Sequence, residues 1–323
     1  MIDITLQNLE TELIGASMQQ PVLLDIWAPW CAPCKALGPV LEKLETAYAG
    51  RFKLAKLNSD EQPEISGQLS QAFGVRSIPF CVLFDQGQPI DGFVGALPEA
   101  KIREFLDKHL PTEDEMEALA DAEEAQELAA EGDADAALAK LQQAVAVDPA
   151  NDAARADYIK LLLERGASSP AAAKAALLAQ ARQAFEPVAG KTMLDARLAA
   201  LGSWLEVCEA AATFRPDDSL STAIGANKRD FDARFELARK RFAAARFTDA
   251  MDELLEIVMR DKNWNEQAAR KTYVAILELM TKPVPKAAAA AAKGALEVTG
   301  KQTVASADPV VDSYRRKLSM ALF

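Results

Sequence analysis

The sequence predicts two domains of different class: an α/β domain with a central sheet, followed by an all-α domain. Strand and helix signals alternate through residues 1–110, an order that gives a sheet with helices on both faces. After Pro111 the strand signals end and alanine-rich helical patterns replace them. The chain has 323 residues, of which 50% are hydrophobic, so it is long enough to bury a core in each domain.

Short apolar runs mark the predicted strands of the first domain, at 22–27, 52–58, 80–84 and 93–95. Apolar residues at helical spacing mark its helices, at 34–48, 65–73 and 99–109. Gly74 ends the second of these helices, and Gln86-Gly87 marks a turn after the third strand. The elements therefore alternate along the whole of this domain.

The second domain begins with a helix that Thr112 can cap, because Glu115 stands three residues later as its reciprocal partner. Small residues at Ala125 and Ala137 would let two helices approach closely, and Pro149 ends the second of them. This spacing resembles the tetratricopeptide repeat (TPR), with a generic helical bundle as the alternative. A looser match falls at Ala238, Ala250, Leu254 and Ile257. Further helices are predicted at 153–165, 170–185, 194–214, 231–245 and 248–260.

The predicted domain bounds are 1–110 for the α/β domain and 111–280 for the TPR-like helical domain. A low-complexity linker follows at 281–307, and a C-terminal docking helix at 308–323. Its apolar stripe and adjoining basic residues are the predicted partner-binding residues Tyr314, Arg315, Arg316, Leu318 and Leu322. The alternative is that this helix packs back onto its own domain.

Charge is distributed unevenly along the chain, which has a net charge of −12. Residues 1–111 carry −5, residues 112–227 carry −12 and residues 228–323 carry +5. The acidic middle argues against nucleic acid as a partner. No apolar run approaches a membrane span, and the first residues lack the basic start of a signal peptide. We therefore expect a cytoplasmic protein that binds neither nucleic acid nor membrane.

The most informative motif is Cys31-Ala32-Pro33-Cys34, which follows the first long strand and opens a helix. Free N–H groups and the helix dipole at that position stabilise a thiolate, the form that attacks a disulfide. Cys31 is therefore predicted as the nucleophile, and Cys34, one turn later and more buried, as the resolving thiol. Zinc binding is the alternative for such a pair, but there is no second pair and only one histidine, so no metal is expected.

Asp25 stands in the middle of a buried strand, where an acidic side chain is costly unless it is paired or protonated. It is a candidate proton acceptor for the second thiol, and Lys56 is its candidate partner. The alternative for Asp25 is a solvated strand end. Cys81 and Cys208 lie in apolar surroundings and are expected to be inert core residues.

The predicted substrate-binding residues surround the cysteine pair. Trp30, Ala32 and Pro33 flank or separate the thiols and would form the contact surface. Ile78-Pro79 precedes a strand, and a cis bond there would expose the Ile78 backbone to a peptide substrate. An ordinary trans proline is the alternative.

Together these residues resemble thioredoxin over about the first 110 residues, with Asp25, Trp30, the cysteine pair, Lys56 and Ile78-Pro79 in the same order. The resemblance implies a cis Pro79, a buried Asp25, an attacking Cys31 and a resolving Cys34. Ala32 stands where glycine is common, and Phe80 where a small polar residue is usual. The change at Ala32 is expected to leave the chemistry intact and to shift the potential or the choice of partner, and Phe80 is expected to make the substrate rim more apolar.

The whole chain resembles the bacterial chaperedoxins, which are thioredoxin–TPR fusions that act as co-chaperones. The resemblance in the helical half rests on 231–260, 268–271 and 314–318. It implies a redox-active holdase that binds unfolded client proteins, protects their cysteines through mixed disulfides and passes them to the chaperonin. The alternative is a protein-disulfide reductase, recharged by thioredoxin reductase or another thiol donor, whose helical domain selects partners. Neither function requires a cofactor.

Overall fold

The computed structural model describes residues 2–281 and 308–322. They fall into two compact units, of which the first reaches Met116 and the second begins at Glu117 and includes the C-terminal helix. The predicted linker, 281–307, lies outside the described residues except at its first position. No helix among the described residues is both long and apolar enough to cross a bilayer.

A five-stranded sheet forms the centre of the first unit. Its strands are β1 (Ile2–Asp3), β2 (Val22–Trp27), β3 (Lys53–Asn58), β4 (Phe80–Asp85) and β5 (Gln88–Val94). They lie in the order β1-β3-β2-β4-β5. The first three are parallel, and β4 is antiparallel to both β2 and β5. The central strand β2 is buried on both faces, which explains why it reads as a nearly continuous apolar run.

Helices cover both faces of this sheet, as predicted. They are α1 (Ala32–Ala47), α2 (Pro63–Phe73), α3 (Glu99–His109) and a π-helix (Leu9–Gly15). Leu23 and Leu83 pack in the core that α1 and α3 complete. Leu24 and Val82, one position along each strand, pack in the core on the opposite face with Leu13. The two-residue period of the strands thus divides the apolar residues between two layers.

The predicted strand at 93–95 is too short, because β5 begins at Gln88. Its first residues are mostly exposed and include Pro89, Asp91 and Gly92, which are typical of a loop. Pairing with β4 makes this stretch a strand, with Val82 opposite Gly92. A nonlocal contact therefore decides a conformation that local composition does not indicate.

The second unit is entirely helical in its described residues, which confirms the predicted class. Its helices are α4 (Glu113–Glu131), which begins in the first unit, α5 (Ala134–Val147), α6 (Asp152–Ser168), α7 (Ala171–Phe185), α8 (Ala196–Ala210), α9 (Asp217–Ala226), α10 (Phe231–Ala243), α11 (Phe247–Arg260), α12 (Trp264–Met280) and α13 (Pro309–Leu322). The predicted reciprocal cap is present: Glu115 N–H donates to Thr112 Oγ1, and Thr112 N–H donates to Glu115 Oε2. Ala125 and Ala137 are buried in one cluster, where their small size permits close packing.

The C-terminal helix α13 packs against its own unit, which is the alternative given for it above; its role in docking stays a prediction. Tyr314 and Leu318 lie in the main core of the helical unit, and Leu322 packs against that core. Tyr314 Oη also donates to Asp252 Oδ1 in α11, at 3.1 Å. An apolar stripe gains more from burial in its own core than from exposure to water. Arg315 and Arg316, predicted with it, remain exposed at the surface.

Candidate functional site

The cysteine pair lies where the chain leaves the sheet. Strand β2 ends at Trp27, and Cys31 is the N-cap residue of α1. Cys31 and Cys34 are joined by a disulfide, and Cys34 N–H donates to Cys31 Sγ at 3.2 Å. The local structure thus places the first sulfur at a helix N-terminus, where free N–H groups favour a thiolate once the bond is reduced.

Both cysteines are equally buried, each with 3% of its surface exposed. The prediction that Cys34 is the more buried is therefore wrong for the disulfide form. Position in the helix, rather than depth, distinguishes the two sulfurs. Cys31 caps the helix, whereas Cys34 lies in its first turn.

Asp25 lies in the middle of β2 with 1% of its surface exposed, as its sequence context predicts. Strand register places it beside Lys56 of β3 and Cys81 of β4. Burial raises the pKa of the Asp25 carboxyl to about 6, although the Lys56 charge and a hydrogen bond from Cys81 oppose that rise. A carboxyl with such a pKa exchanges protons near neutral pH, as a general base must.

Lys56 lies close enough to lower the pKa of Asp25, but its ion-pair partner is a different residue. Its Nζ lies 3.0 Å from Oε1 of Glu42, in α1. Glu42 was not identified from the sequence. Its signal was available, since residues 34, 38 and 42 are four apart and share one face of α1.

A cavity of about 190 Å³ joins these groups. Asp25, Cys34, Lys56 and Glu42 all line it, together with Trp27, Lys35, Gly38 and Pro39. The structure therefore brings together one cysteine of the pair, the buried carboxyl and the predicted lysine. Once the disulfide is reduced, the Cys34 thiol and its candidate proton acceptor Asp25 line the same small volume.

The predicted substrate-binding residues surround the disulfide. Trp30, Ala32 and Pro33 are exposed, and Trp30 presents 71% of its surface. Ile78 packs against the cluster formed by the two cysteines and Ala28. The Ile78–Pro79 bond is cis, and Pro79 itself is buried.

The Trp30 side chain is held by a residue that sequence reasoning missed. Its Nε1–H donates to Asp60 Oδ2 at 3.0 Å, across 30 positions of sequence. Cys81 is a buried core residue, as predicted, but its contact with the site was not foreseen: its thiol donates to Asp25 Oδ1 at 3.7 Å. Neither contact has a local signal, since each depends on how distant segments meet in the fold.

Comparison with known proteins agrees with this geometry. Residues 2–108 match the thioredoxin family model, and residues 210–294 match a tetratricopeptide repeat model. Thioredoxin 1 of Synechococcus elongatus is 39% identical over 107 residues, which cover 33% of this chain and 94% of that protein. Thioredoxin of Chlorobaculum thiosulfatiphilum is 43% identical over 104 residues, covering 32% of this chain and 91% of the relative. Thioredoxin of Haemophilus influenzae is 39% identical over 105 residues, which cover 32% of this chain and 94% of that protein.

These relatives are matched over most of their own length, whereas the helical half of this chain lies outside the match. The matched segment holds the cysteine pair, Asp25, Lys56 and the cis proline. Its homologues point to thiol–disulfide redox activity, in agreement with the geometry of the pair. Through its first domain, the chain belongs to the thioredoxin family.

Proposed function

We propose that this protein is a redox-active holdase and co-chaperone. Its helical domain binds unfolding client proteins, while Cys31 forms mixed disulfides with their cysteines, and the clients then pass to the chaperonin. The observation that carries the proposal is the presence, in one chain, of a complete thioredoxin site and a TPR-like helical domain. Tethering the two raises the concentration of client cysteines near Cys31.

The first chemical step belongs to Cys31. In the reduced protein its thiolate attacks one sulfur of a client disulfide, the client S–S bond breaks, and the other client sulfur leaves as a thiolate that takes a proton. The product is a mixed disulfide between Cys31 and the client. The exposed Trp30, Ala32 and Pro33 supply the surrounding contact surface.

The second step belongs to Cys34 and Asp25. Asp25 takes the proton of the Cys34 thiol, and the resulting thiolate attacks Cys31 Sγ. The Cys31–Cys34 bond forms, the bond from Cys31 to the client breaks, and the client leaves as a thiolate. Two electrons have then passed from the cysteine pair to the client. An external dithiol donor, of the thioredoxin reductase class or another thiol donor, must reduce the pair again.

Exposed apolar side chains on the helical unit support client binding. Met193 and Leu194 are 95% and 93% exposed, side by side in the segment before α8. Met320 of α13 is 74% exposed. Exposed methionine and leucine can adapt to many apolar sequences, which is the property that a holdase needs. For the chaperonin, Arg315 and Arg316 are the predicted partner-binding residues of α13 that are exposed.

A second candidate is a protein-disulfide reductase whose helical domain only selects partners. The presence of both cysteines, with Cys34 and Asp25 lining one cavity, favours it, because a holdase could act with Cys31 alone. The two functions differ in whether turnover or retention of the client is the main outcome.

One trapping experiment separates the candidates. In the Cys34→Ala variant, mixed disulfides on Cys31 cannot be resolved, so bound proteins can be identified with and without oxidant. In parallel, aggregation of a model client is followed with the Cys31→Ala/Cys34→Ala double variant. Retained suppression of aggregation supports the holdase. Lost suppression together with rapid turnover of insulin disulfides by the wild type supports the reductase, and no capture on Cys31 contradicts both redox functions.

A further inference from the structure

Cys81 contacts the buried carboxyl of the redox site, although it lies outside the cysteine pair. It stands directly opposite Asp25 in the antiparallel pairing of β2 and β4. Its Sγ lies 3.7 Å from Asp25 Oδ1, within the range of an S–H hydrogen bond. The thiol has none of its surface exposed, and Asp25 has 1%. Water therefore does not compete for this contact, and a buried polar contact of this kind is retained.

The other groups that face Asp25 come from two elements. From β3, Lys56 attracts the carboxylate. From α1, Cys34, Lys35 and Glu42 line the shared cavity. Of these charged and titratable side chains, Cys34 is the proton donor in the proposed reaction, and Lys56 acts on Asp25 through its charge. Cys81 supplies a hydrogen bond to Asp25 from the opposite strand.

Cys81 lies in a closely packed part of the sheet. A Cβ placed on Gly92 of β5 would lie 2.7 Å from the Cys81 carbonyl oxygen, so the two strands approach closely here. The Cys81 side chain also lies in the core beneath α1 and α3. The Cys81 side chain is thus enclosed by the core next to β2, and packing of this kind is what a positioning group requires.

Cys81 can act as a donor but not as a second nucleophile. Burial, together with the charge of Asp25 and its hydrogen bond, raises the pKa of the Cys81 thiol well above its usual value. The thiol therefore keeps its proton at the pH where Asp25 titrates. A protonated thiol is a weak donor, and a carboxylate is a strong acceptor.

We propose that Cys81 is a positioning residue for the Cys31–Cys34 reaction: its S–H group holds Oδ1 of Asp25 and leaves the other carboxylate oxygen to take the proton of Cys34. The inference rests on the redox function proposed above. Cys81, the third cysteine of the domain, would then have a role in the reaction that its apolar sequence context does not indicate. Losing the donor would destabilise the carboxylate, so Asp25 would hold its proton to higher pH and Cys34 would be activated only at higher pH.

Two variants test the donor. Cys81→Val removes it at similar volume, and Cys81→Ser retains a hydroxyl donor. The matched control is Cys208→Val, which removes a buried thiol that donates to the Ala243 carbonyl oxygen in the helical unit. The measurements, made on the full chain, are the ¹³C titration of the Asp25 carboxyl and the pH profile for resolution of a mixed disulfide on Cys31.

The expected result is that Cys81→Val raises both midpoints by about 0.5 or more, a threefold or greater change in proton affinity. Cys81→Ser should keep them at or below the wild-type midpoint, and Cys208→Val should leave them unchanged. Equal shifts in the valine and serine variants would mean that packing alone is responsible and would overturn the proposal. An unshifted Cys81→Val variant would do the same.

The carboxyl titration and the pH profile of resolution distinguish a failure of this proposal from a failure of the proposed redox function. A wild type that never resolves the mixed disulfide contradicts the redox function, while the carboxyl titration still tests the contact. If neither Cys81 variant folds, the infrared S–H band of Cys81 decides. It is measured in Cys208→Val with the Cys31–Cys34 pair oxidised, so that Cys81 is the one free thiol that absorbs. A band that moves as Asp25 titrates supports the hydrogen bond, and a band that is constant with pH overturns it.

Discussion

Lys56 and Glu42 form an ion pair of 3.0 Å at the cavity that Asp25 shares with Cys34. Lys56 stands in register with Asp25 on the neighbouring strand, so its charge acts on both carboxylates. Glu42 is closer to solvent than Lys56, with 45% of its side chain exposed against 18%. Through Lys56, the buried Asp25 carboxyl is thus linked to Glu42, which is partly exposed to solvent.

Changing this pair should move the Asp25 titration in opposite directions. Glu42→Gln removes a negative charge and leaves Lys56 to act on Asp25 alone, so the Asp25 pKa should fall, by roughly a few tenths. Lys56→Met removes the attraction, so the pKa should rise above about 6. A ¹³C carboxyl titration measures both. Lys53→Met, on an exposed position of the same strand, is the control, and a shift there as large as in Lys56→Met would contradict a local effect.

Replacing Asp25 with asparagine should slow the resolving step. Asparagine retains the shape but accepts no proton, so the Cys34 thiol loses its general base, an effect of about 100-fold or more. Single-turnover resolution of a mixed disulfide on Cys31 measures it between pH 5 and pH 8. The wild-type profile should rise around pH 6, where Asp25 ionises. A variant that kept this rise would show that another group is the base.

The same substitution should stabilise the protein at alkaline pH. The folded pKa of Asp25, about 6, exceeds the 3.8 of an exposed aspartate, so the folded state binds this proton more tightly than the unfolded state. Its contribution to stability is complete below pH 3.8 and is lost as pH rises through 6. Between these limits, ionisation of Asp25 lowers the free energy of unfolding by up to about 3 kcal/mol.

Urea unfolding at pH 4 and pH 8 measures this effect on the free energy of unfolding, and hydrogen exchange of the β2 amides at the same pH values measures it locally. Asp25→Asn should resemble the wild type at pH 4 and be the more stable protein at pH 8. If the wild type and Asp25→Asn lost the same stability between pH 4 and pH 8, ionisation of Asp25 would not be the source of the pH dependence.

Glycine at position 92 should be required for the approach of β5 to β4. An added Cβ would lie 2.7 Å from the Cys81 carbonyl oxygen and 3.1 Å from the Phe80 ring, so Gly92→Ala should destabilise the first domain by about 1–3 kcal/mol. Gly67→Ala is the matched control, because it is exposed in α2 and meets nothing within 4 Å. That variant should be stabilising by about 0.5–1 kcal/mol. Thermal unfolding of both variants measures the contrast.

Substitutions in α13 should separate packing from partner binding. Leu318 is 9% exposed in the core of the helical unit, so Leu318→Ala should cost about 2 kcal/mol and increase hydrogen exchange in α11 and α13. Met320 is 74% exposed, so Met320→Ala should leave exchange unchanged. If Leu318→Ala left exchange unaltered, its side chain would not be part of the core.

Local patterns were sufficient to predict most of the fold. The buried run of β2 and the helical spacing in α1 depend on neighbouring residues, so both were predicted within two positions. The cysteine pair and Asp25 were identified because a charged residue in an apolar run and two close thiols are visible without a structure. The three-residue prediction for β5 failed because its first half forms a strand only through β4.

The rest of the site depends on contacts between distant segments. Cys81 and Asp25 are 56 positions apart, and Trp30 and Asp60 are 30 apart. An apolar context is the same for a core thiol and for one that donates to a carboxylate, so composition does not distinguish them. The packing of α13 is similar: its apolar stripe has the same pattern whether it faces its own core or a partner.

The antiparallel register of β2 and β4 has a consequence for protein engineering. Side chains alternate between the two faces of a strand, so a slip of one residue would place Phe80 or Val82 beside Asp25 and send Cys81 to the opposite layer. Transplanting the four-residue cysteine loop onto a foreign scaffold would therefore carry over two thiols without the acid that activates one of them. In this chain the reactive unit is the loop together with the paired strands beneath it.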